Sequence, residues 1–224
     1  MNPVDSDIND ECEMLLMDYA RGVLNEAQRV LVSSYIEMSE QAQQRATLFE
    51  CLGGAVMESC CEPVAMMEDS LQAVMEQLEN CKQEEACAPY EPRHTINIPM
   101  PQSLCMEISV RCGPSAAWRR VWPGVQMLSI PVEVDGCAMF ITRIHPGAQI
   151  PRHRHESREV TLVLDGAFTD VSGAHKRGDI LIMDPGTAHV LQADAKEGCV
   201  CLIVHEARRG IIPLHWLVRV LGRF

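Results

Sequence analysis

The 224-residue chain has no run approaching the roughly 18 apolar residues that a membrane helix needs, so no helical span is expected. Its first residues, Met1-Asn-Pro-Val-Asp-Ser-Asp7, lack the basic-then-apolar layout of a secretory leader, and a cytoplasmic protein is expected on that basis. It has 11 cysteines but no Cys-x-x-Cys, which removes the usual spacing of a structural zinc knuckle. Without a leader, the cysteines read as reduced thiols, not as a disulfide framework. Cys60 and Cys61 are neighbours and would bridge only under strain. No internal repeat or long low-complexity tract is present.

Basic side chains are scarce early in the chain. Residues 1–93 hold 19 acidic and 5 basic groups, a balance of −14, whereas residues 94–224 hold 12 and 14, a balance of +2. The acidic part would be repelled by nucleic-acid phosphates and suits a basic protein partner.

What is present falls into two patterns. In residues 1–81 the apolar positions recur at three-and-four spacing, which predicts short helices. Cys12, Leu15, Leu16, Tyr19, Ala20 and Val23 form the first stripe, and Gly22 is its expected stop. Asn25 is expected to cap a second helix through Ala27, Val30, Leu31 and Met38, and Ser39 a third through Ala42, Leu48, Phe49 and Leu52. Gly53-Gly54 is expected to weaken the third, and Met67, Leu71, Val74, Met75 and Leu78 mark a fourth. A bundle this thin would be marginal alone. Residues 82–101, polar and proline-bearing, read as a linker.

Residues 102–224 switch to period two. Strands are expected at Leu104–Val110, Gln126–Pro131, Cys137–Ile144, Val160–Leu164, Ile180–Met183 and Cys199–Val204. Asp135-Gly136 and Asp165-Gly166 read as hairpin turns. Leu214–Phe224 reads as a short amphipathic tail.

One stretch of this half carries chemistry. His153 and His155, two apart on an extended strand, project from one face, and Glu159 follows after a turn or bulge. Gly178-Asp179 opens a strand, and Asp184-Pro185-Gly186 turns the chain back at His189. Three imidazoles and one carboxylate from adjacent strands make a divalent-metal site with open positions.

This arrangement resembles the two-part signature of the cupin superfamily: Gly147, His153-x-His155, Glu159 and Gly166, then Gly178, Pro185, Gly186 and His189. The resemblance implies a small double-stranded β-barrel, or jelly roll, with His153, His155, Glu159 and His189 as metal ligands. The opening Leu15-Leu16-Met17-Asp18-Tyr19-Ala20-Arg21-Gly22-Val23-Leu24 is similar to the start of the bacterial zinc-binding anti-sigma domain. Joined to a cupin, it gives the architecture of ChrR-like anti-sigma factors. The implied fold is thus a two-domain α+β chain: a helical bundle in residues 1–81, a linker in 82–101, and a cupin in 102–224. The implied function is transcriptional: the helical part sequesters an extracytoplasmic-function sigma factor until oxidative stress, such as singlet oxygen, is sensed by the metal-bearing cupin. Zinc is the first choice of metal, with iron, manganese and nickel also compatible.

The chain departs from that family at one place. The four zinc positions of the anti-sigma domain are here Asp10, Tyr35, Ser39 and Ala42, so no zinc is expected in the helical part. Packing by Tyr35 and Met38 is expected to fill the space. The alternative reading is a metal-dependent cupin dioxygenase acting on a small diketone or thiol, with Arg143, Arg152, Arg154 or Arg158 clamping an anionic substrate. A cupin that simply stores or buffers metal, or binds a sugar or other small ligand without turnover, is the third. Cys199 and Cys201 share a strand face; they would sense oxidants only if accessible and of low pKa.

Overall fold

A computed structural model describes residues 3–80, 98–113, 116–133 and 137–206. Asp135-Gly136, most of the linker and the amphipathic tail lie outside the described residues. Among the described residues five helices precede nine strands: α1 (Pro3–Ala20), α2 (Glu26–Met38), α3 (Glu40–Cys60), α4 (Ser70–Asn80) and α5 (Gln102–Cys112), then β1 (Arg119–Trp122), β2 (Val125–Ile130), β3 (Cys137–Ile144), β4 (Gln149–Arg154), β5 (Glu159–Asp170), β6 (Gly173–Lys176), β7 (Ile180–Met183), β8 (Ala188–Ala193) and β9 (Cys199–Glu206).

The helix ends follow local chemistry. After α1 the amide of Val23 donates to Asp18 O and that of Gly22 to Tyr19 O, with Gly22 at φ +68°, a Schellman stop. Asn25 opens α2 with a capping box: its side chain accepts from the Gln28 amide at 2.9 Å while Gln28 Oε1 accepts from the Asn25 amide at 3.2 Å. Ser39 Oγ accepts from the Ala42 amide and starts α3. Contrary to expectation, α3 runs on through Gly53-Gly54 to Cys60.

The expected strand at Leu104–Val110 is a helix instead. Its apolar residues satisfy both periods, and tertiary contacts decide between them. Leu104 and Ile108, one helical turn apart, are buried against α2, while Met106 and Val110 are exposed. The Glu37 carboxylate accepts from the first free amides of α5, Gln102 at 2.7 Å and Ser103 at 3.0 Å. Arg111 then ties α5 to Glu26 of α2 at 2.5 Å.

All strand pairs are antiparallel, in the order β1-β2-β3-β9-β5-β8-β4, with β6 and β7 also paired to β5. The long β5 serves two layers. Its first half pairs with β9 and β7, its second half with β6 and β8, and the register shifts between Val163 and Asp165. Asp165-Gly166 is therefore a bulge within a continuing strand, not a hairpin turn. A Cβ on Gly166 would collide with the Gly198 carbonyl, and its φ of +67° is itself a glycine conformation.

Alternation along β5 and β9 sorts side chains to two buried faces. Val160, Leu162 and Leu164, with Val200, Leu202 and Val204, join a core with Leu15, Leu16, Ala27, Val30 and Leu31 of the helices. Val163, Cys199 and Cys201 point the other way, into the barrel. Burial on both faces explains why these strands read as continuous apolar runs. The helices use the outside of the barrel as their floor, which removes the problem of a thin free-standing bundle.

Candidate metal centre

His153 stands on β4, His155 just beyond its end, and His189 on β8, directly paired with His153 in the ladder. All three are buried. Nε2 of His189 lies 3.0 Å from Nε2 of His153 and 3.1 Å from Nε2 of His155. Among the described residues these three form a cluster whose ligand atoms all lie within 4.8 Å of one another. Two imidazole nitrogens on one tetrahedral zinc, each at about 2.0–2.1 Å, stand about 3.3 Å apart.

The opposite nitrogen of each ring faces an oxygen. His153 Nδ1 lies 3.0 Å from the Pro151 carbonyl, an acceptor, so it carries the proton. His189 Nδ1 lies 2.8 Å from Asp170 Oδ2, and His155 Nδ1 lies 3.4 Å from Glu159 Oε2. Burial alone would raise the Asp170 carboxyl, but hydrogen bonds from His175, His189 and Ser172 outweigh it and hold it well below the usual range. Burial likewise opposes ionisation of Glu159, yet His155, with His205 and His153 behind it, keeps it below its ordinary value. Desolvation pushes the His153 ring down to about 4, so that ring is neutral at pH 7. With the protons on Nδ1, three Nε2 lone pairs face one another in a buried space. A cation at their focus satisfies all three.

Of the four residues expected as ligands, three converge. Glu159 lines the same cavity as His153 and His189, but its described contacts are His155 Nδ1 and the Thr161 hydroxyl, which donates to Oε1 at 3.2 Å. Asp170, at the far end of β5, escaped the sequence reading. Nothing in its spacing connects it to His189, nineteen residues later; only the return of β8 beside β5 brings them together.

Cys199 and Cys201 have their Sγ atoms 3.3 Å apart and are both buried. The Cys201 thiol is pushed up by its hydrogen bond with Cys199 and by burial, the opposite of an oxidant-reactive thiolate. Arg143 stacks over Trp118 at 4.5 Å, Arg158 lies 3.9 Å from Glu11, and among the described residues no arginine lines the cavity beside the histidines. The four positions of the anti-sigma zinc do not fit a metal. Asp10 is exposed, Ser39 is occupied as a helix cap, Ala42 has no donor, and the Tyr35 phenol is pushed up by burial beside Cys12. Tyr35 and Met38 both pack against the shared core, as the sequence led us to expect.

Residues 109–209 match the family model described as the ChrR cupin-like domain. The chain is 32% identical over 195 residues to the anti-sigma-E factor ChrR of Cereibacter sphaeroides, covering 87% of this chain and 88% of that protein. Its fold is similar to a chain in the crystal structure of Rhodobacter sphaeroides SigE in complex with the anti-sigma ChrR. That match has a TM-score of 0.69 and 30% identity, and covers 86% of this chain and 96% of the other.

Proposed function

The chain belongs to the ChrR anti-sigma factors, and from that membership we propose a division of labour between its two halves. The protein is an anti-sigma factor, and its partner is a sigma factor of the extracytoplasmic-function class. The helical part, residues 1–81, does the gripping. One observation carries this assignment: the stripes that should be buried on α4 and the outer half of α3 lie in the open. Leu71, Val74, Met75 and Leu78 share one face of α4, and Leu48, Leu52 and Val56 one face of α3, all of them exposed. Between Ala46 and Asn80 there are seven acidic side chains and no Lys or Arg. An apolar stripe in an acidic frame suits a partner that presents apolar pockets among the basic residues a sigma factor uses on DNA.

The barrel is the sensing half. His153, His155 and His189, with Glu159, hold one divalent cation, zinc in the first instance, and Asp170 fixes the tautomer and aim of His189. With these side chains as ligands, a bound cation would supply metal–ligand bonds that tie β4, β8 and the start of β5 together. Beta strands β5 and β9 connect that site to the helices, since Glu159 and Thr161 face the cavity while Val160 and Leu162 of the same strand are packed with the helices. Loss or oxidation of the site under oxidative stress loosens the floor on which α1 and α2 rest. None of the helices among the described residues is long and apolar enough to cross a membrane. The proposed compartment is the cytoplasm, where the transcription machinery works.

Co-expression with a sigma factor, followed by size exclusion and metal analysis, tests both halves. We expect a one-to-one complex and one metal per chain, the metal being lost in a His153→Ala, His155→Ala double variant. Failure to form a complex with any sigma factor from the same genome removes the gripping role. A complex whose lifetime is the same with and without the metal, under oxidant, removes the sensing role.

A further inference from the structure

Beside the three histidines the barrel keeps a narrow chamber of about 50 Å³, walled chiefly by Trp122, Val125, Ile144, Ile150, Leu191 and Ile203. A single water needs about 10–15 Å³ on this scale, so the space holds about four. Its walls are a poor home for water, because a held water requires two to four polar partners. At the histidine end it meets His153, His189 and Glu159. In the wall stands Thr142, 3% exposed, whose hydroxyl has no hydrogen-bond partner among the described residues. Thr161 offers no alternative, since its hydroxyl is committed to Glu159.

A buried hydroxyl without a partner is costly, and a threonine at this inward position of β3 gains nothing over valine unless something pairs with it. Every other feature of the chamber fits the same missing group: apolar walls for a hydrocarbon, a polar end for a head, and room for only a few heavy atoms. Sugars and phosphates have too many polar groups for these walls. We propose that the barrel interior binds a three- or four-carbon molecule with one oxygen head, an acid or an alcohol. Its chain fills the apolar chamber, its head lies at the histidine end, and Thr142 hydrogen-bonds to that head. This inference rests on the metal reading above, because the cation would neutralise an acid head or accept a lone pair of an alcohol oxygen. A ligand here bears directly on β3, β5 and β9, whose other faces pack with the helices, so it is placed to regulate the grip on the sigma factor.

The experiment uses the full chain loaded with cobalt in place of the resident metal. Acetate, propionate and butyrate form one arm, and ethanol, propan-1-ol and butan-1-ol the other; binding is read by calorimetry and by the visible spectrum of the cobalt. Affinity is expected to rise about fourfold with each added methylene, the value of burying one CH₂. The arm that binds identifies the head group as acid or alcohol. Thr142→Val is expected to weaken the four-carbon ligand about threefold to tenfold, the value of one hydrogen bond, while the ligand-free protein melts no lower than the parent. Ile203→Phe, which fills the chamber from a half-buried position, is expected to abolish the chain-length dependence while cobalt uptake persists. A full equivalent of cobalt with affinity flat across each series overturns the chamber and leaves the metal site standing. So does a Thr142→Val protein that melts lower and binds as tightly as the parent. A chain that takes up no cobalt overturns the metal reading, and this inference with it.

Discussion

Helices α2 and α4 are built to the same plan, yet they end in opposite surroundings. In α2 the residues Ala27, Val30 and Leu31 are at most 1% exposed, pressed between α5 and the outer face of β9 and β3. In α4 the residues Leu71 and Leu78 are 70% and 63% exposed. Amphipathicity specifies only that a face will be buried, not which molecule will bury it. The face of α2 is consumed in building the chain's own core. The face of α4 remains for a partner, and an exposed apolar stripe of this length is the usual mark of an interaction site.

That contrast is open to direct attack. The largest effect is expected from Leu31→Ala, which leaves a cavity between helices and barrel and should cost about 2–5 kcal/mol in chemical denaturation. Next comes the pair Leu71→Asp and Leu78→Asp on α4. Each should change stability by less than about 0.5 kcal/mol, while together they should weaken sigma-factor binding by about 30-fold or more, as for a central interface anchor. If the α4 pair unfolds the chain as Leu31→Ala does, α4 is part of the core and the contrast fails. Asp170→Asn probes the barrel alone: metal affinity measured by chelator competition should fall about 10- to 100-fold with the fold unchanged. The smallest effect is that of Asn25→Ala, which removes the capping box of α2 and should cost about 1 kcal/mol. It sharpens the comparison by showing how little of the α2 stability is local and how much comes from the barrel beneath it.

The site was readable to the extent that its residues are close in sequence or set off by turns. His153 lies on β4 with His155 just past its end, two residues on, and the Asp184-Pro185-Gly186 turn delivers His189 to a ladder position opposite His153. Asp170 was invisible because its partner arrives through strand pairing across the barrel. The helix at Gln102–Cys112 was misread for a related reason. Leu104 and Ile108 fit an alternating strand or one helical turn equally well, and the decision came from α2, through its buried surface and the Glu37 carboxylate. Asp165-Gly166 carried the letters of a hairpin turn, but the strand continues because Gly198 lies against Gly166 and allows it no side chain.

What the sequence determined by itself was local: the caps at Asn25 and Ser39, the stop at Gly22, the strand periodicity, and the order of the histidines and glycines along the chain. These depend on contacts within a few residues, and those contacts survive in any fold that keeps the segment. What only the tertiary structure decided was non-local: that the helices rest on the back of the barrel, that Asp170 stands behind His189, and that, among the described residues, the Thr142 hydroxyl faces a chamber unpaired and the α4 stripe is left uncovered. Each of these is a pairing between segments far apart in the chain. Such pairings are chosen by which buried faces fit together in space, and no spacing of letters records that choice.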